Sequence, residues 1–405
     1  QANEPIQVTI KMLTKSGITR RTFLRASGAG LVGLAGSLGL RGLTRADAPA
    51  SDHSQHAPAA LAQTDDPPAA DAHAAAHGGM GTVGQVDHAA NQFDPHEILT
   101  DFDTGELSEE DGRPVRTWQM FAVDREFEIA PGIHFPGWVY GTPTSAASRR
   151  AGHLVGQCPG PTLRCIEGER LRIHFTNGSS HPHTIHFHGI HSAAMDGIPG
   201  VGAGMIPPGG QFTYEFEARP FGCHLYHCHA VPLKRHIHKG LYGAFIVDPD
   251  PARYSGEEAE AARRRNHTFA ESREVDEMVM VLNGFDTNFD GENEVYAANT
   301  VAFAYDMAHP IPVARDRPQR LYLINVTEFD PINSIHLHAN FFDYYDHGTT
   351  LRPTHKTVDT IMQCQAQRGI LEFSFAGFEP GLYMFHAHQT ELAELGWMGF
   401  FNVTA

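Results

Sequence analysis

The chain has 405 residues, with 27 His, 30 Lys plus Arg and 47 Asp plus Glu, for a net charge of −17. That charge excludes a partner that needs a basic face, such as nucleic acid, and a hydrophobic share of 41% excludes disorder throughout. The length gives material for two to three domains. A histidine excess of this size raises metal binding, because neutral imidazole is the commonest metal ligand.

No run reaches the ~18 consecutive apolar residues of a membrane helix. Near the start, Thr19-Arg20-Arg21-Thr22-Phe23-Leu24 resembles the twin-arginine export signature. A Gly-rich apolar run, Ala26 to Leu40, and the small-x-small site Ala46-Asp47-Ala48 follow. Residues 1–48 therefore read as an export signal, with the periplasm or cell exterior as destination. Residues 49–95, rich in Ala, Asp, Pro and His, have the composition of a disordered tether.

From about Thr117 the pattern changes to short β-rich runs between Gly/Pro turns: Trp118–Ile129, Thr162–Asn177, His183–Gly189, Phe212–Ala218, His224–Ala230 and Leu241–Val247. This spacing is that of an antiparallel sandwich. A charged segment, Asp248 to Arg273, with a helix-prone stretch at 257–265, reads as a link. A second series follows: Val275–Phe285, Arg320–Val326, Ile332–Tyr345, Ile370–Phe375, Leu382–His388 and Trp397–Val403. The halves echo each other, since Arg170-Leu171 and Arg320-Leu321 each lead into a His-x-His run, and each half has a second such run before its last strand. The expectation is an all-β chain: two Greek-key β-sandwich domains, 96–250 and 251–405, behind a signal and a tether.

The four pairs are His186/His188, His227/His229, His336/His338 and His386/His388. In a strand, residues i and i+2 share a face, so each pair presents two imidazoles to one side. Four such pairs at matching positions predict metal. Cys228 lies inside the second pair, and alternation turns its sulfur the other way, towards a separate metal. Two His, one Cys and a weak axial group make a blue-copper set. His183 and His236 supply the imidazoles, and Leu241 stands where an axial Met would lie; a Leu cannot coordinate.

These motifs resemble the multicopper oxidases, specifically their two-domain, laccase-like bacterial members, over residues 115–405. His183-x-x-His186-x-His188-Gly189 looks like the combined copper motif of that family, and Tyr226-His227-Cys228-His229 with His236-x-x-x-Gly240-Leu241 looks like its electron-transfer motif. The gap from Cys228 to His236 is three residues longer than in the common three-domain enzymes. Ala387 replaces the Cys in the second half, so type 1 copper belongs to the first.

The resemblance implies cupredoxin-like domains and four coppers per chain. Type 1 copper would take His183, Cys228 and His236. Type 2 would take His186 and His336. The type 3 pair would take His188, His227, His229, His338, His386 and His388. It further implies O2 as acceptor, a small reducing substrate, and a homotrimer with the trinuclear cluster at the subunit interface. Asp196, in Met195-Asp196-Gly197, resembles the family's proton-supplying acid; an Asp preceding a Gly turn is the other reading. Copper nitrite reductase is the rival activity, but its motifs carry Asp and Ala where His186 and His229 stand here. Cys158, Cys165, Cys223 and Cys364 allow three full disulfide connectivities or free thiols.

Overall fold

The computed structural model describes residues 84–405; the export signature and the tether up to residue 83 lie outside the described residues. Within them the chain is all-β, built as two sandwiches. In the first, one sheet has the spatial order Phe102–Asp103, Gly160–Ile166, Tyr242–Asp248, Gly222–His227, His186–Phe187. The facing sheet runs Glu106–Glu110, Arg113–Ala130, Arg170–Asn177, Gln211–Glu217, with Ile133–Gly141 paired to Arg113–Ala130. In the second, Val295–Ala298, Asp276–Phe285, Gln319–Asn325, Arg368–Phe373, Phe342–Asp346 and His355–Val358 face a sheet of Ile311–Ala314, Met398–Thr404, Gly381–His386, Ile332–Leu337 and Thr360–Cys364.

The sheets are mixed rather than purely antiparallel. Gly160–Ile166 runs parallel to Tyr242–Asp248, Arg113–Ala130 to Arg170–Asn177, Asp276–Phe285 to Gln319–Asn325, and Ile311–Ala314 to Met398–Thr404. The cause is crossing between sheets. The run Thr162–Asn177, read as one strand, breaks at Gly168 (φ +91°), and its two parts join opposite sheets. Glu169 pins the corner, accepting from the Ile166 N–H at 3.0 Å and pairing with buried Arg116. Ile332–Tyr345 breaks in the same way after Ala339 (φ +58°).

Residues 87–95, assigned to the tether by composition, belong to the fold. Asp87 caps the helix His88–Asn91. The Asn91 amide donates to Glu128 O and its oxygen accepts from Glu128 N, both at 2.8 Å. Phe93 is buried in the core. Local caps and one aromatic outweigh an Ala- and His-rich composition.

The expected helix in the link is present at Gly256–Arg265, where Arg265 donates to Gly348 O at 2.6 Å. One apolar cluster runs through both halves, including Phe127, Tyr242, Val279 and Tyr322. A buried ion network joins them as well: Arg164 meets Asp248 and Glu277, and Arg320 meets Glu277 and Glu372. No helix among the described residues is long and apolar enough to cross a membrane.

Candidate metal centres

His183, Cys228 and His236 converge in the interior of the first sandwich. The strand Gly222–His227 delivers Cys228 at its end, and the helix Leu233–His238 brings back His236. Gly240 (φ +108°) then turns the chain into Leu241; a Cβ there would press on Trp138 O at 3.1 Å. Cys228 Sγ lies 3.4 Å from His236 Nδ1 and 3.9 Å from His183 Nδ1, and the two Nδ1 atoms are 3.1 Å apart. All three residues are buried, as is Leu241 beside them.

Outer partners fix this set. His183 Nε2 donates to Ser179 Oγ at 2.9 Å, which donates to Asp124 Oδ1 at 2.9 Å. The chain leaves His183 Nδ1 free as a donor atom. The N–H groups of Thr184 and Ala230 point at the sulfur from 3.4 and 3.5 Å. Burial, with the facing imidazole second, lowers His183 to about 3, and burial lowers His236 to about 4. Both are neutral at neutral pH and able to ligate. Burial also raises the Cys228 thiol, so a thiolate there needs a cation beside it.

The other face carries a histidine group. His186 and His227 are direct cross-strand partners, and His188 Nε2 is 3.1 Å from His227 Nε2. His186 Nδ1 donates to Asp196 O at 2.8 Å and lies 3.0 Å from its Oδ1; His227 Nδ1 donates to Cys228 O at 2.9 Å. Both anchors free Nε2. His229 packs on His186 at 5.4 Å between ring centroids, and its buried Nδ1 has no partner. Burial lowers His188 to about 2 and His227 to about 4.

The second sandwich repeats the pattern. His336 pairs across strands with His386, and His338 Nε2 is 2.9 Å from His386 Nε2. His336 Nδ1 donates to Asp359 O at 3.0 Å or Thr360 Oγ1 at 2.9 Å, and His386 Nδ1 to Ala387 O at 2.6 Å. His388 N–H donates to Ser334 Oγ at 2.8 Å, as His229 N–H does to Thr184 Oγ1. The two groups stay apart in one chain. Opposite the first lie Val326, Glu328, Gln365 and Ala366, while His338 and His388 of the second are exposed.

The second half also keeps the outline of the Cys228 site without its donors. Ala387 N–H donates to Trp397 O as Cys228 N–H does to Leu241 O, and Trp397 N–H to Leu392 O as Leu241 N–H does to His236 O. Leu392 and Trp397 thus occupy the places of His236 and Leu241. Sequence reasoning found Ala387 alone, because the three extra residues after Cys228 hide the match. It also missed Ser179, Asp124, Thr184 and Ser334. Asp196 lies against the His186 ring, after the short turn Ala193–Met195. All five cysteines are free thiols.

Two family models described as multicopper oxidase match residues 138–252 and 275–405. A solved multicopper oxidase is 51% identical, with a TM-score of 0.68, and is covered in full by 79% of this chain. A copper nitrite reductase from Nitrosomonas europaea shares the fold, at 20% identity and a TM-score of 0.56 over 72% of this chain and 94% of its own. A laccase of Aspergillus fumigatus is 36% identical over 121 residues, 29% of this chain. The match spans about a fifth of that relative's length (20%).

Proposed function

This chain belongs to the multicopper oxidase family, and we propose that it is a laccase-like oxidoreductase. It couples one-electron oxidation of a phenolic, aromatic or metal-ion donor to four-electron reduction of O2 to water. The observation that carries the reading is Cys228. Its sulfur faces two buried Nδ1 atoms, while the residues bonded to it on either side, His227 and His229, belong to a histidine group.

Copper fits these residues. Nitrogen and thiolate donors suit it, each group has ring nitrogens freed by an anchored partner atom, and His229 Nδ1 is buried without a partner. In this reading His183, Cys228 and His236 would hold type 1 copper, and the Leu241 side chain would offer it no donor atom. His186 and His336 hold type 2, and His188, His227, His229, His338, His386 and His388 hold the type 3 pair, four coppers per chain. Copper supplies a one-electron acceptor at Cys228 and a multi-electron reductant of O2 at the histidines. The protein's part is positional: Ser179 aims His183, the Cys228 carbonyl aims His227, and Asp196 sets a carboxyl group against His186 that can take up and pass on a proton.

A homotrimer completes the cluster, each first-half group meeting the second-half group of a neighbour. The separation of the two groups within one chain and the exposure of His338 and His388 support it. The first domain runs to residue 250, with 87–95 as part of it, the second is 251–405, and the Thr19–Leu24 motif supports twin-arginine export to the periplasm or beyond. Metal analysis with O2 uptake tests the reading. Four coppers per chain, a blue band and donor-dependent O2 consumption are expected; two coppers with nitrite reduction would make it a nitrite reductase.

A further inference from the structure

Trp138 links the Cys228 site to the surface. Its ring centroid is 4.8 Å from that of His236 and 5.2 Å from that of His183. It is also 4.5 Å from the ring of His181, with Arg235 Cζ at 5.3 Å and Lys239 Nζ at 5.2 Å. Trp138 itself is 5% exposed, whereas His181 and Arg235 face solvent. Lys234, exposed beside Arg235, lies 3.7 Å from the Phe329 ring. A chain with only five Lys and a net charge of −17 thus sets Lys234, Arg235 and Lys239 within six residues at this one place.

Among the described residues none of these three cations is paired with a carboxylate, although the Asp124 charge reaches Lys239 and the Glu328 charge reaches Lys234. Asp124 spends Oδ1 on the Ser179 hydroxyl at 2.9 Å and Oδ2 on the Ser180 N–H at 2.7 Å. Asp286, in the loop that carries Phe289, spends both oxygens on the N–H groups of Asp290 and Gly291. An acidic protein would meet the repulsion of the whole molecule, but a small anion senses only charges within a screening length of about 8 Å.

We propose that this cationic, aromatic rim selects a small anionic aromatic reductant. Its arene packs at His181 and Trp138, and its carboxylate or sulfonate pairs with Arg235. Arg235 and His181 are specificity residues for the oxidase reaction, and the inference rests on that reading. The arene loses one electron and, where phenolic, one proton to solvent; four such electrons and four protons convert one O2 to two waters.

The copper-loaded full chain is assayed with syringate as the anion and syringol as the neutral donor of the same ring. Arg235→Gln lowers the syringate-to-syringol ratio of kcat/KM by roughly fivefold, Arg235→Glu lowers it further, and raising the salt concentration does the same to the native protein. Calorimetric binding of redox-inert benzenesulfonate weakens in step. A ratio unmoved by both variants overturns the proposal, as does faster, salt-sensitive turnover of a reduced acidic electron-transfer protein. Absence of a blue band and of O2 uptake in the native chain would instead defeat the oxidase reading, and benzenesulfonate binding would then judge the rim by itself.

Discussion

Glu277→Gln tests what holds the two sandwiches together. Arg164 Nη1 and Nη2 reach the Glu277 carboxylate at 2.6 and 3.2 Å, Arg320 Nη1 at 2.9 Å, and the Tyr322 hydroxyl donates at 2.8 Å. The Arg164 and Arg320 side chains are 3% and 2% exposed, so water does not replace a lost partner. Gln keeps the shape but turns an NH2 group towards guanidinium donors. Removing one member of a buried pair costs about 3–5 kcal/mol. Arg164 keeps Asp248 and Arg320 keeps Glu372, which sets the expectation near the lower end, about 3 kcal/mol. A fold of roughly 320 residues unfolds with an entropy of about 0.7 kcal/mol/K, so the melting midpoint should fall by about 4–5 °C. Calorimetry of copper-loaded protein at fixed concentration measures it. The loss should also depend on pH. Burial alone would raise Asp248, but Arg164 and His267 outweigh it and hold the carboxyl at about 2 against an ordinary 3.8; Glu277 is likewise held low against its burial by Arg164 and Arg320. Carboxylates depressed in the folded state stabilise it above their unfolded values, and that contribution is lost as pH falls through the folded ones. The gap between native and variant protein should therefore narrow from about pH 4 downwards. A midpoint shift under about 1 °C, or a gap indifferent to acid, would refute the reasoning.

Three further substitutions probe the metal centres. Cys228→Ser should abolish the blue absorption and the oxidase turnover while histidine-bound copper remains on metal analysis; a retained blue band would remove Cys228 from the type 1 set. Leu241→Met would put a thioether beside the Cys228 site and, if that sulfur meets the type 1 copper, should lower its potential in a spectroelectrochemical titration. An unmoved potential would mean that position 241 does not face the metal. Asp196→Asn should cut O2 turnover by about 100-fold, the low end for loss of a proton donor, with the reduction of the blue band by donor unaffected in stopped flow. Unchanged turnover would leave Asp196 as a turn residue.

The histidine pairs and Cys228 were legible because strand alternation is a local rule: residues two apart share a face whatever the rest of the chain does. Much of the fold was legible for the same reason. Ile133–Gly141 was not, because Pro136 and Gly137 interrupt its pattern, although its pairing with Arg113–Ala130 is extensive. Glu106–Glu110 escaped because an exposed strand of acids carries no apolar alternation. The parallel pairings depend on which sheet a strand enters after a corner, and no local period encodes that. The groups that aim the ligands were hidden by distance. Ser179 meets Asp124 across 55 positions and Ser334 meets Gln389 across 55, so neither contact leaves a spacing to read.

The second sandwich explains why one chain needs two versions of the same scaffold. A buried thiol and two buried imidazoles are poorly satisfied without a metal, since each loses water and gains little in exchange. Where the metal is dispensed with, the donors must go as well. Ala387, Leu392 and Trp397 stand in their places, all buried in one apolar cluster, and the Trp397 indole donates to Ser334 O at 2.9 Å. At this place the second half is held by apolar packing and that one hydrogen bond. Its histidines face outward from the same strands, and because alternation separates the two faces, the inner face could become core without disturbing the outer one. The first half keeps both faces polar, and Cys228 is the residue whose side chain lies on one face while its backbone neighbours serve the other.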